Sequence, residues 1–217
     1  MPHPRNRAKA ARALGLDESV LWPQLADARA RAAVSSEVLY VYPHRGAVPP
    51  ESWYELLSAA REHVNILVYA GLFLSDGRAD LPVLLQRKAD EGLPIRLLLG
   101  DPESDAVARR GAEEQVGDAL AARIRMSMTY MQPAFDVPGV EVRLHGCTLY
   151  NSIFRFDDDL LVNMHVYGAV AAQSPVMHVR RIPGGRLFPH YMGSFERVWE
   201  EAQPLAVKHS NRDVVAA

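Results

Sequence analysis

Residues 143–168, RLHGCTLYNSIFRFDDDLLVNMHVYG, gather two histidines, two asparagines, two arginines, one cysteine and three consecutive aspartates. Imidazoles can carry protons or attack as nucleophiles, and amides and guanidiniums can hold the oxygens of a phosphate or carboxylate. The mixture admits three readings: a catalytic centre, a pocket for a polar ligand, or a β-hairpin with a polar tip. Side chains alternate along a strand, so Ser152, Phe154 and Phe156 face one side while Ile153, Arg155 and Asp157 face the other. On the following strand Leu161, Asn163 and His165 share a face. This predicts polar groups in line along one side of the hairpin. Surface strands favour Thr, Lys and Glu, whereas His145, Asn151, Arg155, Asn163 and His165 are types that bind a phosphate or another polar ligand. These five are the candidate ligand-binding residues, and His145 and His165 are the catalytic candidates if the site belongs to an enzyme.

Other signals are weaker. His178, in VMHVRRI, reads either as a neighbour of this group on an adjacent strand or as a hydrogen-bonded core histidine. The aspartates at 157–159 predict a hairpin turn rather than a divalent-metal site, since adjacent strand residues point to opposite faces. No metal ligand set or cofactor motif is recognisable: there is no glycine-rich phosphate loop, no nucleophile elbow and no Cys/His pair at zinc spacing. LLLGDP ends a predicted parallel strand at Gly100 and Asp101, where open α/β sheets place ligands. RRGAEE follows and could present Arg109 or Arg110 to an anion. Cys147, alone on a strand, reads as packing.

The elements that must position these residues come from length and periodicity. The 217 residues, 48% hydrophobic, suffice for one domain with an appendage. The 24 basic and 26 acidic residues leave no expectation of a broad basic face for nucleic acid. A single cysteine excludes an internal disulfide framework. The opening residues lack the apolar core of a signal peptide, and no apolar run approaches the roughly 18 residues of a membrane span. A cytoplasmic protein without a membrane partner is expected.

Residues 1–35 predict a helical appendage. AKAARALG is a helix closed by Gly15, Asp17 caps the next turn, and LWPQLADARARAAV is a second helix that tolerates Pro23 in its first turn. From residue 36 to 206 an α/β domain is expected, with a mixed, largely parallel sheet flanked by helices. VLYVY, VNILVYA and IRLLLG read as strands buried on both faces, alternating with ESWYELLSAAREH and DLPVLLQRKADEG at helical spacing. A helix over 112–131 puts Met126, Met128 and Met131 in the core. VEVRLHG, SIFRF, LLVNMHV and VMHVRRI supply further strands, YMGSFERVWEEA packs Phe195, Val198 and Trp199 onto the sheet, and 207–217 is expected to be a disordered tail.

Two resemblances follow. PHPRNRAKAARALGLDESVLWPQL resembles the closing helix of the helix-turn-helix domain in actinobacterial regulators of the xenobiotic-response-element family. The recognition helix of those regulators lies upstream of the matching segment, so the resemblance implies DNA binding only if a helix-turn-helix precedes this chain. From about Trp53 to Ala202 the sequence is similar to the domain attached to such regulators, of the phospholipase D-like superfamily. LVYAGLFL, LLLGDP, RGAEE, the 144–168 stretch and SFERVW carry the match. Active members bear His-x-Lys-x4-Asp followed by a Gly-Ser-x-Asn strand, with the histidine as nucleophile and the lysine on the phosphoryl oxygens. Here His145 matches the histidine, but Cys147 stands at the lysine position and Ser152 at the aspartate position. Loss of that cation removes stabilisation of the transferring phosphoryl group, while Asn163 and His165 lie where the second motif would run.

The resemblance implies a transcription-regulator-like protein whose degenerate phospholipase D-like domain senses an anionic or phosphate-bearing small molecule, or forms a homodimer, or both, two copies pairing across a two-fold axis. A purely structural dimerisation module without a ligand is a further reading. The alternative is a phosphodiesterase, nuclease or phosphatidyl transferase with a histidine nucleophile. No cofactor is expected under any of these readings.

Overall fold

The computed structural model describes residues 2–25, 37–74 and 80–205. Among the described residues eight strands form one sheet: β1 (Val38–Tyr42), β2 (Val64–Leu67), β3 (Ile95–Gly100), β4 (Val140–His145), β5 (Asn151–Phe156), β6 (Asp159–Met164), β7 (Val176–Arg180) and β8 (Gln203–Pro204). Their order is β1-β7-β6-β5-β2-β3-β4-β8. The helices are α1 (Pro4–Leu14), α2 (Glu18–Leu21), α3 (Pro50–Ala59), α4 (Leu81–Asp90), α5 (Asp105–Glu113), α6 (Ala119–Phe135) and α7 (Leu187–Glu201).

The mixed α/β architecture is as the sequence predicts, but the sheet is mostly antiparallel rather than largely parallel. Only β2–β3 and β3–β4 pair in parallel, and the other neighbours are antiparallel. The physical reason is connection length. A turn as short as 157–158 can only reverse the chain, so β5 and β6 must be antiparallel. β1 also departs from expectation. Instead of joining β2 through a crossover it lies at the far edge against β7, with Tyr40 and Val41 each 61% exposed. Its apolar run is an edge strand, not a doubly buried one.

β2 and β3 are apolar on both sides because helices cover both. On one face Ile66, Val68, Leu97, Leu99 and Phe154 pack with Trp53 and Leu57 of α3, Leu84 and Leu85 of α4, and Met131 and Phe135 of α6. On the other, Leu67, Leu98, Ile153, Leu160 and Val179 meet Phe188, Phe195 and Trp199 of α7, with Leu120 and Ile124 of α6. Of the three methionines, Met131 is buried, Met128 touches both clusters and Met126 is exposed. The helix expected over 112–131 is two, interrupted where Gln115 (φ 58°) and Gly117 (φ 51°) turn left-handed.

In the appendage Gly15 takes the left-handed C-cap of α1, and the Asp17 carboxylate accepts from the Ser19 amide at 2.8 Å. The second appendage helix beyond residue 25, and the tail at 207–217, lie outside the described residues. Among the described residues no helix is long and apolar enough to cross a membrane.

Two carboxylates fasten distant segments. Asp157, at φ 53° in the hairpin turn, accepts from the amides of Arg61, Glu62 and His63 at 2.8, 2.7 and 2.9 Å. Glu37, wholly buried just before β1, accepts from Arg186, Leu187 and Phe188 at 2.7, 2.9 and 3.0 Å, capping α7. Burial alone would raise both carboxyls, but the amide hydrogen bonds outweigh it and hold each below its ordinary pKa. Gly185 leaves room for the Glu37 carboxylate, which a Cβ there would strike.

Candidate functional site

The histidines of the quoted stretch meet at one edge of the sheet, where β2, β3, β4 and β6 end and β5 begins. Tyr69, just beyond β2, stands between them. Its ring centroid is 5.7 Å from that of His145, tilted by 45°, and 5.9 Å from that of His165, stacked at 21°. Tyr69 Oη accepts from the Leu149 amide at 2.9 Å. Gly100 permits this placement, because a Cβ there would come within 3.1 Å of both the Tyr69 ring and Val107.

His165 follows β6 on the α3 side of the sheet. Its Nδ1 lies 3.2 Å from the Leu149 carbonyl and its Nε2 3.0 Å from the Ser152 hydroxyl. A carbonyl only accepts, so Nδ1 carries the proton and Nε2 accepts from Ser152. Burial, together with the charges of Arg110 and Arg45, pushes the His165 pKa down to about 4, against the opposing Leu149 hydrogen bond. The ring is therefore neutral at neutral pH.

Ser152 and His165 line a cavity of about 350 Å³ with Arg45, Tyr69, Phe73, Glu114 and Arg123 among its walls. The Arg45 guanidinium lies 4.0 Å from the Phe73 ring centroid. Among the described residues no carboxylate lies within ion-pair distance of it, and burial pushes its pKa down to about 10 against the weaker pull of Glu114. Glu114 is already engaged by Arg110 Nε at 2.8 Å. The cavity thus has at its wall a desolvated cation, a neutral imidazole and a hydroxyl, together with Arg123 and a Glu114 carboxylate paired with Arg110.

His145 ends β4 on the opposite, α7 side, as Arg143 two residues earlier shows by lying 4.3 Å over the Trp199 ring. It is 2% exposed. Its Nε2 is 3.0 Å from the Val68 carbonyl and its Nδ1 3.5 Å from Cys147 Sγ. By the same reasoning Nε2–H donates to the carbonyl, and the Nδ1 lone pair accepts the thiol proton. Burial lowers the His145 pKa and raises that of Cys147. The pair is thus a neutral imidazole and a protonated thiol, not a thiolate–imidazolium couple. It faces a separate cavity of about 250 Å³ beside Val198, Glu201 and Ala202 of the α7 end.

The remaining candidates lie elsewhere. Asn163 is wholly buried directly across from Ser152. Its amide donates to the Ser174 and Pro175 carbonyls at 3.1 and 3.0 Å, and among the described residues its Oδ1 has no partner. Asn151 opens β5 opposite Met164 and does not line the cavity. Arg155 points to the α7 side near the other end of β5, donating to the Asp157 carbonyl at 2.8 Å and covering the Phe188 ring. Of the five, then, the structure brings His165 to the cavity and Asn163 next to it, and sets His145, Asn151 and Arg155 apart. Arg110 is buried against Glu114 and the Ala169 carbonyl, and His178 pairs with Asp159 at 2.7 Å. Among the described residues no group of three or more His, Cys, Asp or Glu is placed to hold a metal.

Arg45, Tyr69, Phe73 and Arg123 are the site residues that sequence reasoning missed. Tyr69 had a usable signal, as it follows a strand in the parallel part of the sheet, where ligands gather. Arg45 had none, because its approach depends on β1 crossing to the far edge.

No family model matches the chain, and no curated protein matches it. Solved structures do. TrmBL2, an archaeal chromatin protein whose structure shows a novel mode of DNA binding, is 14% identical with a TM-score of 0.46, over 78% of this chain and 53% of that one. This chain therefore spans about half the length of TrmBL2. Nuc from Salmonella typhimurium, a phospholipase D family member, is 12% identical with a TM-score of 0.45, over 76% of this chain and 94% of that one.

Proposed function

We propose that this domain binds a small anion, phosphate- or carboxylate-bearing, in the cavity of Arg45, Ser152 and His165, and that it is the ligand-sensing part of a regulator-like protein. The observation that carries this reading is Arg45: a desolvated guanidinium, stacked on Phe73 and without a carboxylate partner among the described residues, at the wall of a cavity whose histidine is neutral. An anion supplies the missing counter-charge, and the cations that suppress the His165 charge favour it electrostatically. The regulatory role rests on the resemblance of residues 2–25 and 53–202 to regulator segments. Under it the protein is a homodimer, and it touches DNA only if a helix-turn-helix precedes the chain.

Titration calorimetry with inorganic phosphate tests the binding. Loss of a charge-assisted contact of about 1.5–3 kcal/mol predicts at least tenfold weaker binding in Arg45→Ala. Equal affinity in wild type and variant refutes this reading.

One observation favours chemistry instead: the Ser152 hydroxyl donates to a neutral His165 Nε2 at 3.0 Å, a hydroxyl paired with a base. His145 is not arranged to attack through Nε2, since that atom's proton is committed to the Val68 carbonyl. Hydrolysis of an activated phosphodiester by wild type, His145→Ala and His165→Ala, with and without magnesium, separates the readings. Turnover that vanishes in His165→Ala makes the protein an enzyme, whereas none above buffer in wild type leaves a binding site.

A further inference from the structure

The anion cavity has a neighbour. A second cavity of about 320 Å³ is lined by Trp53, Leu57, Ile66, Leu85, Met131 and Phe156 along with other, mostly apolar, groups. The two cavities share Arg45, Phe73 and Ala172. These residues come from three single 3₁₀ turns, Arg45–Ala47, Leu72–Leu74 and Ala171–Gln173. Among the described residues Arg45 is the one charged group lining the apolar cavity.

We infer that the ligand is a free amphipathic anion, whose charged head meets Arg45 while a single apolar chain or ring system fills the cavity beside Trp53. The inference rests on the anion reading above and deepens it. A space so poor in polar groups offers water few hydrogen bonds, so water there is readily displaced by hydrocarbon. Its volume lies at the lower end of the roughly 300–1,000 Å³ of small-molecule sites, which suits one chain rather than two. One wall is rigid: the Trp53 ring meets Phe73 and Phe154 edge to face at 5.0 and 4.9 Å. Phe73 also carries the Arg45 guanidinium on its face, so one side chain fixes both the cation and the mouth of the apolar space. Head and tail sites are therefore set at a constant separation by packing.

The test is a series of n-alkyl phosphates from methyl to dodecyl, each below its micellar concentration, titrated against the full chain. Affinity rises by up to roughly fourfold per methylene while the tail is being buried, then levels off once the cavity is full. A decyl phosphate brominated along its chain quenches Trp53 fluorescence, and Trp53→Phe removes that quenching while Trp22 and Trp199 remain. Decanol, lacking the charge, binds at least tenfold more weakly than decyl phosphate. Leu57→Phe, which narrows the cavity, weakens decyl phosphate binding and spares methyl phosphate.

Methyl phosphate binding that depends on Arg45 but gains nothing from chain length overturns the amphiphile and keeps the anion site. Decanol binding as tightly as decyl phosphate overturns the head-group pairing. No binding by any member of the series overturns both.

Discussion

His145 and His165 lean on the same tyrosine, both are neutral, and both donate one ring N–H to a backbone carbonyl, yet they do different work. His145 spends its second nitrogen on a thiol and is 2% exposed beside the smaller cavity, so it serves as a buried strut. His165 spends its second nitrogen on a hydroxyl at the wall of a cavity that also contains a desolvated arginine. Residue type does not separate them. Each borders a cavity, and what separates them is depth and charge: His145 is nearly inaccessible, whereas His165 is partly exposed and stands among arginines.

The contrast can be broken or sharpened by experiment. The largest expected effect is on stability. His145→Ala strands the Val68 carbonyl and removes a ring that is 2% exposed, at a cost of about 3–4 kcal/mol in denaturant unfolding, whereas His165→Ala costs less, about 2 kcal/mol, because its ring is partly exposed. Equal losses would abolish the distinction between strut and cavity wall.

Next comes pH. The folded His165 pKa of about 4 lies below the ordinary 6.5, so the unfolded chain takes up the proton first. Stability attributable to this ring is therefore complete above pH 6.5 and falls as pH drops toward 4, by about 3 kcal/mol in all. Chemical denaturation across this window should show the slope, and His165→Gln should flatten it although His145 adds a contribution of the same sign. A slope unchanged in His165→Gln would assign it elsewhere.

Smaller effects follow. Ser152→Ala removes one hydrogen bond, about 1 kcal/mol by thermal unfolding, and leaves the Nε2 lone pair open to a ligand. Cys147→Ala should shift stability by less than about 1 kcal/mol. The wild-type thiol should alkylate with iodoacetamide at least tenfold more slowly than a free cysteine, since burial raises its pKa. Fast alkylation would mean that His145 activates the thiol and is no mere strut.

Much of this was legible from periodicity. The strands from β2 to β7 and the closing helix announce themselves because each buries a regular apolar face. Asp157 reads as a turn because its short side chain tolerates the left-handed region. Alternation also placed Ser152 opposite Arg155 in facing correctly. What it could not supply is which strand lies beside which. VLYVY looks like an interior strand, and only the tertiary pairing of β1 with β7 reveals an edge and brings Arg45 beside His165. Likewise Arg155 and Asn163 have the chemistry of ligand contacts, but Arg155 Nε donates to a turn carbonyl away from the Arg45 cavity and the Asn163 amide donates to the 174–175 backbone, positions that depend on tertiary pairing.

The cap that Glu37 places on α7 makes the order of synthesis matter. Among the described residues β1 pairs with β7 alone, and the carboxylate just before it waits for amides at 186–188. At roughly 5–20 residues per second a ribosome needs on the order of ten seconds to supply them. For that interval the apolar residues of β1 are in the nascent chain without the strand they pair with, and their backbone hydrogen-bonding groups stay open.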